Sequence, residues 1–316
     1  MSKTKFAIGC LVQWYEIDMI SEYINSLKKA LSNSEESTII DFTFNINQDL
    51  EKIDTTQSNM ENLILKFENL VKNLPNCKYR INKDFIMIAD YRRWFLDEYC
   101  TKADILIQGE SDCLLPSQTF ILLNSLHNSV KDNTPKYIAT FGTCKMWDDS
   151  WKMLEHIDLT NKPRDPYAWY GTRCYMSYEK MEEINSQVED IILSNISPHK
   201  FNGCGFIISS ETVKSGVNIP RGAFFIDDTA LNFMTNKLLP GIPQYHFKNL
   251  LLVHNREHPN KRNYVLGETG KDLTGRRKSN DWYNLANEYS KINDANIFNP
   301  KFKFLTWQDV LNKINK

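Results

Sequence analysis

The chain lacks several features that would place it in a specialised class of protein. Its seven cysteines are an odd number without any C-x-x-C pair, so neither a disulfide framework nor a zinc ribbon is indicated. No stretch approaches the roughly 18 apolar residues that a membrane span needs. The 38 Lys and Arg residues are balanced by 39 Asp and Glu, so the net charge is -1 and no overall field attracts nucleic acid. These absences predict reduced thiols in a cytosol-like compartment.

The first residues also lack the pattern of a secretory signal peptide, because an acid follows early and the apolar run in MSKTKFAIGCLVQWYEID is short. We therefore expect a soluble, cytoplasmic protein without a membrane span. What the chain does have is an ordinary globular composition, with 41% hydrophobic and 24% charged residues. Its 316 residues are enough for one large domain with a sizeable core.

Strand-like and helix-like segments alternate along the chain. An apolar run at 6–12, a segment with helical periodicity at 16–31 and a second strand-like run at 37–44 predict a βαβ unit and hence a parallel sheet. A helix that Pro75 stops follows, and then one that Asp84 can cap. Further segments read as strands or as a strand running into a helix: 104–109, 135–143, 201–209, 222–237 and 244–255.

Two acids stand where a predicted strand ends, in the stretch ADILIQGESDCLLP. Glu110 and Asp112 are two residues apart and would share one side of an extended segment. Bare carboxylates in a crevice repel one another, and a divalent cation such as Mg²⁺ or Mn²⁺ removes that conflict. A solvated turn is the other interpretation of the same two acids.

A second pair of acids, Asp227 and Asp228, stands between the apolar AFFI and the helical TALNFMTNK. One of them can cap the helix while the other faces a cleft as a general base, or both can simply complement the helix N-terminus. Further on, the segment 254–262 is rich in His, Arg and Lys and follows a buried strand, as suits phosphate or metal binding.

Taken in order, these segments resemble the nucleotide-sugar glycosyltransferases of the GT-A fold, in particular the family-2-like branch. The resemblance spans about residues 5 to 260 and depends on YRRWFLDEYCTKADILIQGESDCLLP, FNGCGFIIS and FFIDDTALN. It implies an α/β, Rossmann-like fold with a mostly parallel central sheet flanked by helices. The catalytic domain would cover 1–265, with a nucleotide-sugar half at about 1–115 and an acceptor half at about 116–265. A C-terminal extension at 266–316 would pack on the same domain.

The resemblance also implies roles for particular residues. Asp112 would bind the metal with Glu110 and His254; Glu110 stands where Asp is usual, so Asp112 is the safer ligand, and His258 is the substitute for His254. Asp228 would be the base and Asp227 would orient the acceptor. The donor would contact Glu110 and a further set of residues: Asn47, Asp49, Arg92, Arg93, Ser111, Arg256, Lys261 and Arg262.

The function implied is a metal-dependent, inverting transfer of a sugar from a nucleoside diphosphate, by default UDP, to an acceptor hydroxyl, with Mn²⁺ or Mg²⁺ as cofactor. The acceptor stays open between a glycan, a protein, a small molecule and a modified nucleic-acid base. DNA or RNA is not indicated by the net charge, although basic clusters occur at 254–262 and 275–278. The alternatives are a nucleotidyltransferase, which normally has a Gly-rich basic loop after its first strand, and a catalytically silent sugar-binding or nucleotide-binding protein.

Two further features carry open interpretations. An aromatic segment at 144–175 would stack on a sugar or base, or form a satellite core, through Trp147, Trp151, Trp169 and Tyr170. Cys204 stands between two glycines, and we expect it to allow close packing beside the acceptor rather than to act as a nucleophile.

Overall fold

The structure is a computed structural model, and it describes residues 3–35, 37–47, 60–145, 176–195, 203–224, 227–255 and 281–314. Its strands are β1 Lys5–Gln13, β2 Ser37–Asn45, β3 Cys77–Asn82, β4 Ile105–Gln108, β5 Cys113–Leu114, β6 Ile138–Lys145, β7 Leu193–Asn195, β8 Phe206–Ser209 and β9 Gln244–His254. Its helices are α1 Ile20–Ser32, α2 Met60–Val71, α3 Ile88–Tyr99, α4 Thr119–Val130, α5 Tyr178–Asn185, α6 Ser210–Lys214, α7 Asp227–Leu238, α8 Asp281–Ala295 and α9 Trp307–Ile314.

All of these strands belong to one sheet with the order β3-β2-β1-β4-β8-β6-β9-β5, and β7 pairs with β9. The pairings of β1 with β2, β1 with β4, β2 with β3 and β6 with β9 are parallel. The other pairings, which involve β5, β7 and β8, are antiparallel. The expected α/β fold is therefore confirmed, and its sheet is mixed rather than wholly parallel because β8 runs against both of its neighbours.

The first strand is buried on both faces, as its continuous apolar sequence predicts. Phe6 and Ile8 point into the core layer that α1, α2 and α4 cover, whereas Ala7 points into the layer that includes Phe95 of α3 and Leu231 of α7. This alternation is the period of a β-strand, and it places helices on both faces of the sheet. In the part of the chain that the structure describes, no helix is both long and apolar enough to cross a membrane.

Several local expectations need correction. Asp84 does not cap α3, because that helix begins at Ile88 with Met87 in the N-cap position. Residues 222–224 were expected in a strand but lie in a turn and irregular backbone, and 225–226 fall outside the described residues. The last helix begins with a capping box, since Thr306 N donates to Asp309 Oδ2 over 2.7 Å and Asp309 N to Thr306 Oγ1 over 3.3 Å.

The last two helices pack beside the segment that leads to the predicted base. Phe224 and Met87 form a small core with Ala286 of α8 and Val310 of α9. The side chain of Asn293 completes this contact: Nδ2 donates to the carbonyls of Gly222, over 3.0 Å, and Leu305, over 2.9 Å. Leu305 N in turn donates to Asn293 Oδ1 over 2.9 Å. These contacts attach the last two helices to the segment 222–224, while the C-terminal extension at 266–316 and its boundary at 265/266 stay predictions.

Replacing Asn293 by Ala should destabilise the protein by about 2–4 kcal/mol, because two carbonyls and one amide would lose their partner at a buried position. The free energy of unfolding from urea denaturation measures the change. The matched control is Asn296→Ala just beyond the same helix, where the amide donates only to Ile292 O and a change within about 0.5 kcal/mol is expected. Equal losses in the two variants would contradict the role assigned to Asn293.

Candidate active site

The Glu110-Ser111-Asp112 segment forms a turn between β4 and β5. Cys113 N donates to Glu110 O over 3.0 Å, and Asn255 N donates to Asp112 O over 2.6 Å. Cys113 lies opposite His254 in the antiparallel pairing of β5 with β9. The expected extended segment is therefore wrong, but the turn still brings both carboxylates to the same place, beside the imidazole at the end of β9.

His254 is the point where the two acids meet. Its Nε2 lies 3.0 Å from Glu110 Oε2 and 3.3 Å from Asp112 Oδ1. Burial favours the neutral ring, but the ionisable groups around it, Cys204, Asp112 and Glu110, raise the pKa of His254 well above its usual value. The expected association of His254 with the acidic turn is therefore present in the structure, and Asp112 is buried instead of facing solvent.

Arg92 connects this group to the second pair of acids. The residue belongs to α3 and is only 3% exposed, and its side chain donates from Nη1 to Asp227 Oδ2 and from Nη2 to Glu110 Oε1. Burial opposes ionisation of Glu110, yet Arg92 and His254 hold its pKa well below the usual value. For Asp227 burial prevails over Arg92, and its pKa is raised. One buried guanidinium thus joins the turn after β4 to the start of α7.

The two neighbouring acids of α7 have different surroundings. Asp227 is buried against Arg92, whereas Asp228 is half-buried and accepts from Thr229 N at Oδ1 over 2.8 Å. A Cβ added to Gly203 would lie 3.1 Å from Asp228 Oδ2 and 3.2 Å from Arg92 Nη1. Glycine at 203 therefore allows the backbone before β8 to approach this oxygen closely.

The remaining predicted site residues fall into three groups. Ser111 is buried in the turn, and Arg93 contacts Asp90 and the Pro220 carbonyl, away from Arg92's partners. Asn47 donates from Nδ2 to Lys83 O over 3.1 Å and lies near the end of β2. Outside the described residues lie Asp49, the aromatic segment with Trp147, Trp151, Trp169 and Tyr170, and the basic residues Arg256, His258, Lys261 and Arg262, together with 275–278.

A row of amide side chains at the ends of three parallel strands was not predicted. Gln13, Asn45 and Asn82 are in register across β1, β2 and β3. Asn45 Nδ2 donates to Gln13 Oε1 over 2.9 Å, and Asn82 Nδ2 donates to Asn45 Oδ1 over 3.1 Å. An amide at the carboxyl end of each strand is the sequence signal that could have indicated this row.

Cys204, which was expected only to allow close packing beside the acceptor, lies next to the acidic turn and His254. Glu110, Cys204 and His254 each offer one ligand atom, and these atoms lie within 4.8 Å of one another. With the carboxylate of Asp112 beside the same imidazole, oxygen, nitrogen and sulfur donors surround one place. Such a donor set fits a divalent cation, whose charge would offset the carboxylates of Glu110 and Asp112.

Fold and site together define an α/β protein with an acidic crevice at the carboxyl ends of parallel strands, the usual position of ligand sites in such sheets. No protein-family model and no curated protein sequence matches the chain. Similar solved structures include residues 1–349 of S. aureus TarS in complex with UDP-GlcNAc, at 10% identity over 98% of this chain and 80% of that chain, with a TM-score of 0.46.

Another similar structure is the mannosyltransferase PcManGT from Pyrobaculum calidifontis in complex with GDP-Man and Mn²⁺. It is 12% identical over 100% of this chain and 80% of that chain, with a TM-score of 0.46.

Replacing Arg92 by Met should destabilise the protein by about 3–5 kcal/mol, because the buried Asp227 and the half-buried Glu110 would keep their charges without the guanidinium that compensates them. Chemical denaturation at neutral pH measures the loss. Adding Asp227→Asn to Arg92→Met should recover part of it, because one of the two uncompensated charges is then removed.

The control is Arg93→Met on the same helix, whose ion-pair partner Asp90 is 43% exposed, so a loss below about 1 kcal/mol is expected. If Arg92→Met costs no more than Arg93→Met, the guanidinium is not the bridge described here.

Proposed function

We propose that the chain is a metal-dependent glycosyltransferase that moves a sugar from a nucleoside diphosphate to an acceptor hydroxyl. The observation that carries the proposal is the meeting of three chain segments in one crevice. The acidic turn at 110–112, the acids at the start of α7 and the imidazole of His254 gather around Arg92. At one end, such a group can hold positive charge that compensates the negative charge of a diphosphate. At the other end, a carboxylate can accept a proton.

Asp228 is the proposed general base, and inversion is the proposed outcome. Asp227 is occupied by Arg92, whereas Asp228 Oδ2 faces the backbone at Gly203 and only Oδ1 accepts from the helix. When one oxygen of a carboxylate accepts a hydrogen bond from the helix, the other oxygen can accept the proton of an acceptor hydroxyl. Asp227 then orients the acceptor side of the site through its fixed position on Arg92.

Asp112, Glu110 and His254 are the residues that would hold a divalent cation, Mn²⁺ or Mg²⁺ in the first instance. When bound there, the cation supplies positive charge that stabilises a departing nucleoside diphosphate. Arg92 keeps Glu110 ionised beside His254, and the pairing of β5 with β9, in which Cys113 lies opposite His254, holds the preceding Asp112 beside the imidazole. The basic residues after 255 remain proposed diphosphate contacts.

The row of Gln13, Asn45 and Asn82 is the proposed site of the nucleobase, with Asn47 and Asp49 nearby along the chain. Gln13 stands four residues beyond Gly9, where β4 stops pairing with β1, so the row lies about 13 Å further along the strand direction. Amides offer donors and acceptors together, which suits the edge of a base. UDP is the first nucleotide to test, on the resemblance seen in the sequence.

Asp112→Ala should abolish metal-dependent nucleotide binding, whereas Asp228→Asn should leave binding intact and lower turnover by about 10²- to 10⁴-fold, because only the proton acceptor is lost. Calorimetry with UDP and Mn²⁺ measures binding. Release of nucleoside diphosphate from several sugar nucleotides, with water as the acceptor, measures turnover.

Asp132→Asn, a change in the turn that follows α4 and precedes β6, is the control and should match the unmodified protein in both measurements. Unchanged turnover in Asp228→Asn would refute the base assignment. Binding of UDP without turnover of any donor would favour a silent nucleotide-binding protein, and absence of nucleotide binding would refute the proposal as a whole.

Asn45→Ala should weaken UDP binding about tenfold, the equivalent of one lost hydrogen bond or two, because the amide between Gln13 and Asn82 would be missing. Binding of inorganic pyrophosphate with Mn²⁺ is the internal control, since it has no base to lose. Parallel weakening of both ligands would show that the change disturbs the fold and not a nucleobase contact.

A further inference from the structure

Among the residues that the structure describes, one group that could hold a metal ion includes a thiol. Glu110 comes from the turn after β4, Cys204 from the segment before β8, and His254 from the end of β9, and their ligand atoms lie within 4.8 Å of one another. A carboxylate and an imidazole serve many divalent ions. Sulfur is a softer donor, so a sulfur ligand discriminates between divalent ions for which oxygen ligands have no such preference.

The backbone around Cys204 is built to hold that side chain inside the crevice. Gly205 has φ of +62°, in the left-handed region that favours glycine, and a Cβ there would collide with Leu252 Cδ1 at 2.6 Å. Gly203 lies against Asp228 and Arg92. Cys204 is therefore fixed on both sides by close backbone approach, with its side chain 3% exposed.

We propose that Cys204 is a ligand of the divalent cation, completing a carboxylate–thiolate–imidazole centre with Glu110 and His254, and that this centre prefers Zn²⁺ or Co²⁺ to Mg²⁺. The inference rests on the metal site of the proposed function and adds a ligand and an ion preference to it. Four-coordinate sites with nitrogen and sulfur ligands are typical of zinc, whereas magnesium takes oxygen ligands in octahedral geometry. Asp112, beside the same imidazole, is placed for the fourth position.

Cys113 provides the matched comparison. It is as buried as Cys204, lies opposite His254 across β5 and β9, and its thiol contacts that of Cys204. It does not belong to the group of three ligand atoms. If Cys204 were only a packing thiol, as buried free cysteines commonly are, the two positions would respond alike to substitution.

The test is a titration of chelator-treated, metal-free protein with Co²⁺, followed by absorption spectroscopy. A Co²⁺–thiolate bond gives a charge-transfer band in the near ultraviolet that oxygen and nitrogen ligands do not give. We expect this band in the unmodified protein and in Cys113→Ser, and its loss in Cys204→Ser together with at least about tenfold weaker Co²⁺ binding. Zn²⁺ at equal concentration should displace Co²⁺, whereas a large excess of Mg²⁺ should not.

A band that persists in Cys204→Ser, or Co²⁺ binding to the unmodified protein without any band, would overturn the proposal. Circular dichroism shows whether Cys204→Ser folds. If it does not, X-ray absorption of the Zn²⁺-loaded unmodified protein decides the matter, because one sulfur ligand at about 2.3 Å is expected and its absence refutes the thiolate.

These results are independent of sugar transfer. A Co²⁺–thiolate band without turnover of any sugar nucleotide would support the metal centre and count against the glycosyltransferase. Turnover with Mn²⁺ in a protein whose metal has no sulfur ligand would support the enzyme and remove Cys204 from the centre.

Discussion

The contact on which the site depends is the bridge from Arg92 to Glu110 and Asp227. Three ionic groups that are costly to bury singly become tolerable together, because the planar guanidinium offers two edges and satisfies one carboxylate with each. Glu110 divides its own oxygens between Arg92 and His254. The charges at the end of β4 and at the start of α7 are thereby held in one geometry. A lysine could not do this, since its ammonium is a single point of charge.

The structure also separates two acids that sequence reasoning treated as a pair. Asp227 is paired with Arg92, whereas Oδ2 of Asp228 points toward the closely packed backbone at Gly203. The same division occurs at the acidic turn, where Glu110 faces both the guanidinium and the imidazole while Asp112 faces His254. The two carboxylates of each pair therefore have different partners.

Much of the fold was predictable because the buried segments are strongly periodic. β1, α1, β2, β4, β6 and β9 appear where hydrophobic patterns predict them. β3 was missed because it is an edge strand with exposed charged and aromatic side chains, and the direction of β8 cannot be read from a short apolar run. The sequence could have predicted that Arg92, and not Arg93, faces the interior, since Arg92 shares the helical face of Ala89 and Leu96. It could not have predicted that Cys204 lies beside His254, because that contact depends on tertiary packing between segments that are distant in sequence.

The hydrogen bonds of the Asn293 side chain have a consequence for the order in which the protein folds during synthesis. The loop at Gly222, just before the acids of α7, is tied to a side chain that lies 71 positions later in the chain. During synthesis β1 to β4 can fold well before that amide leaves the ribosome. Chains arrested on either side of α8 would therefore differ in protease resistance around Gly222, and the turn before α7 would become ordered only after α8 has been made.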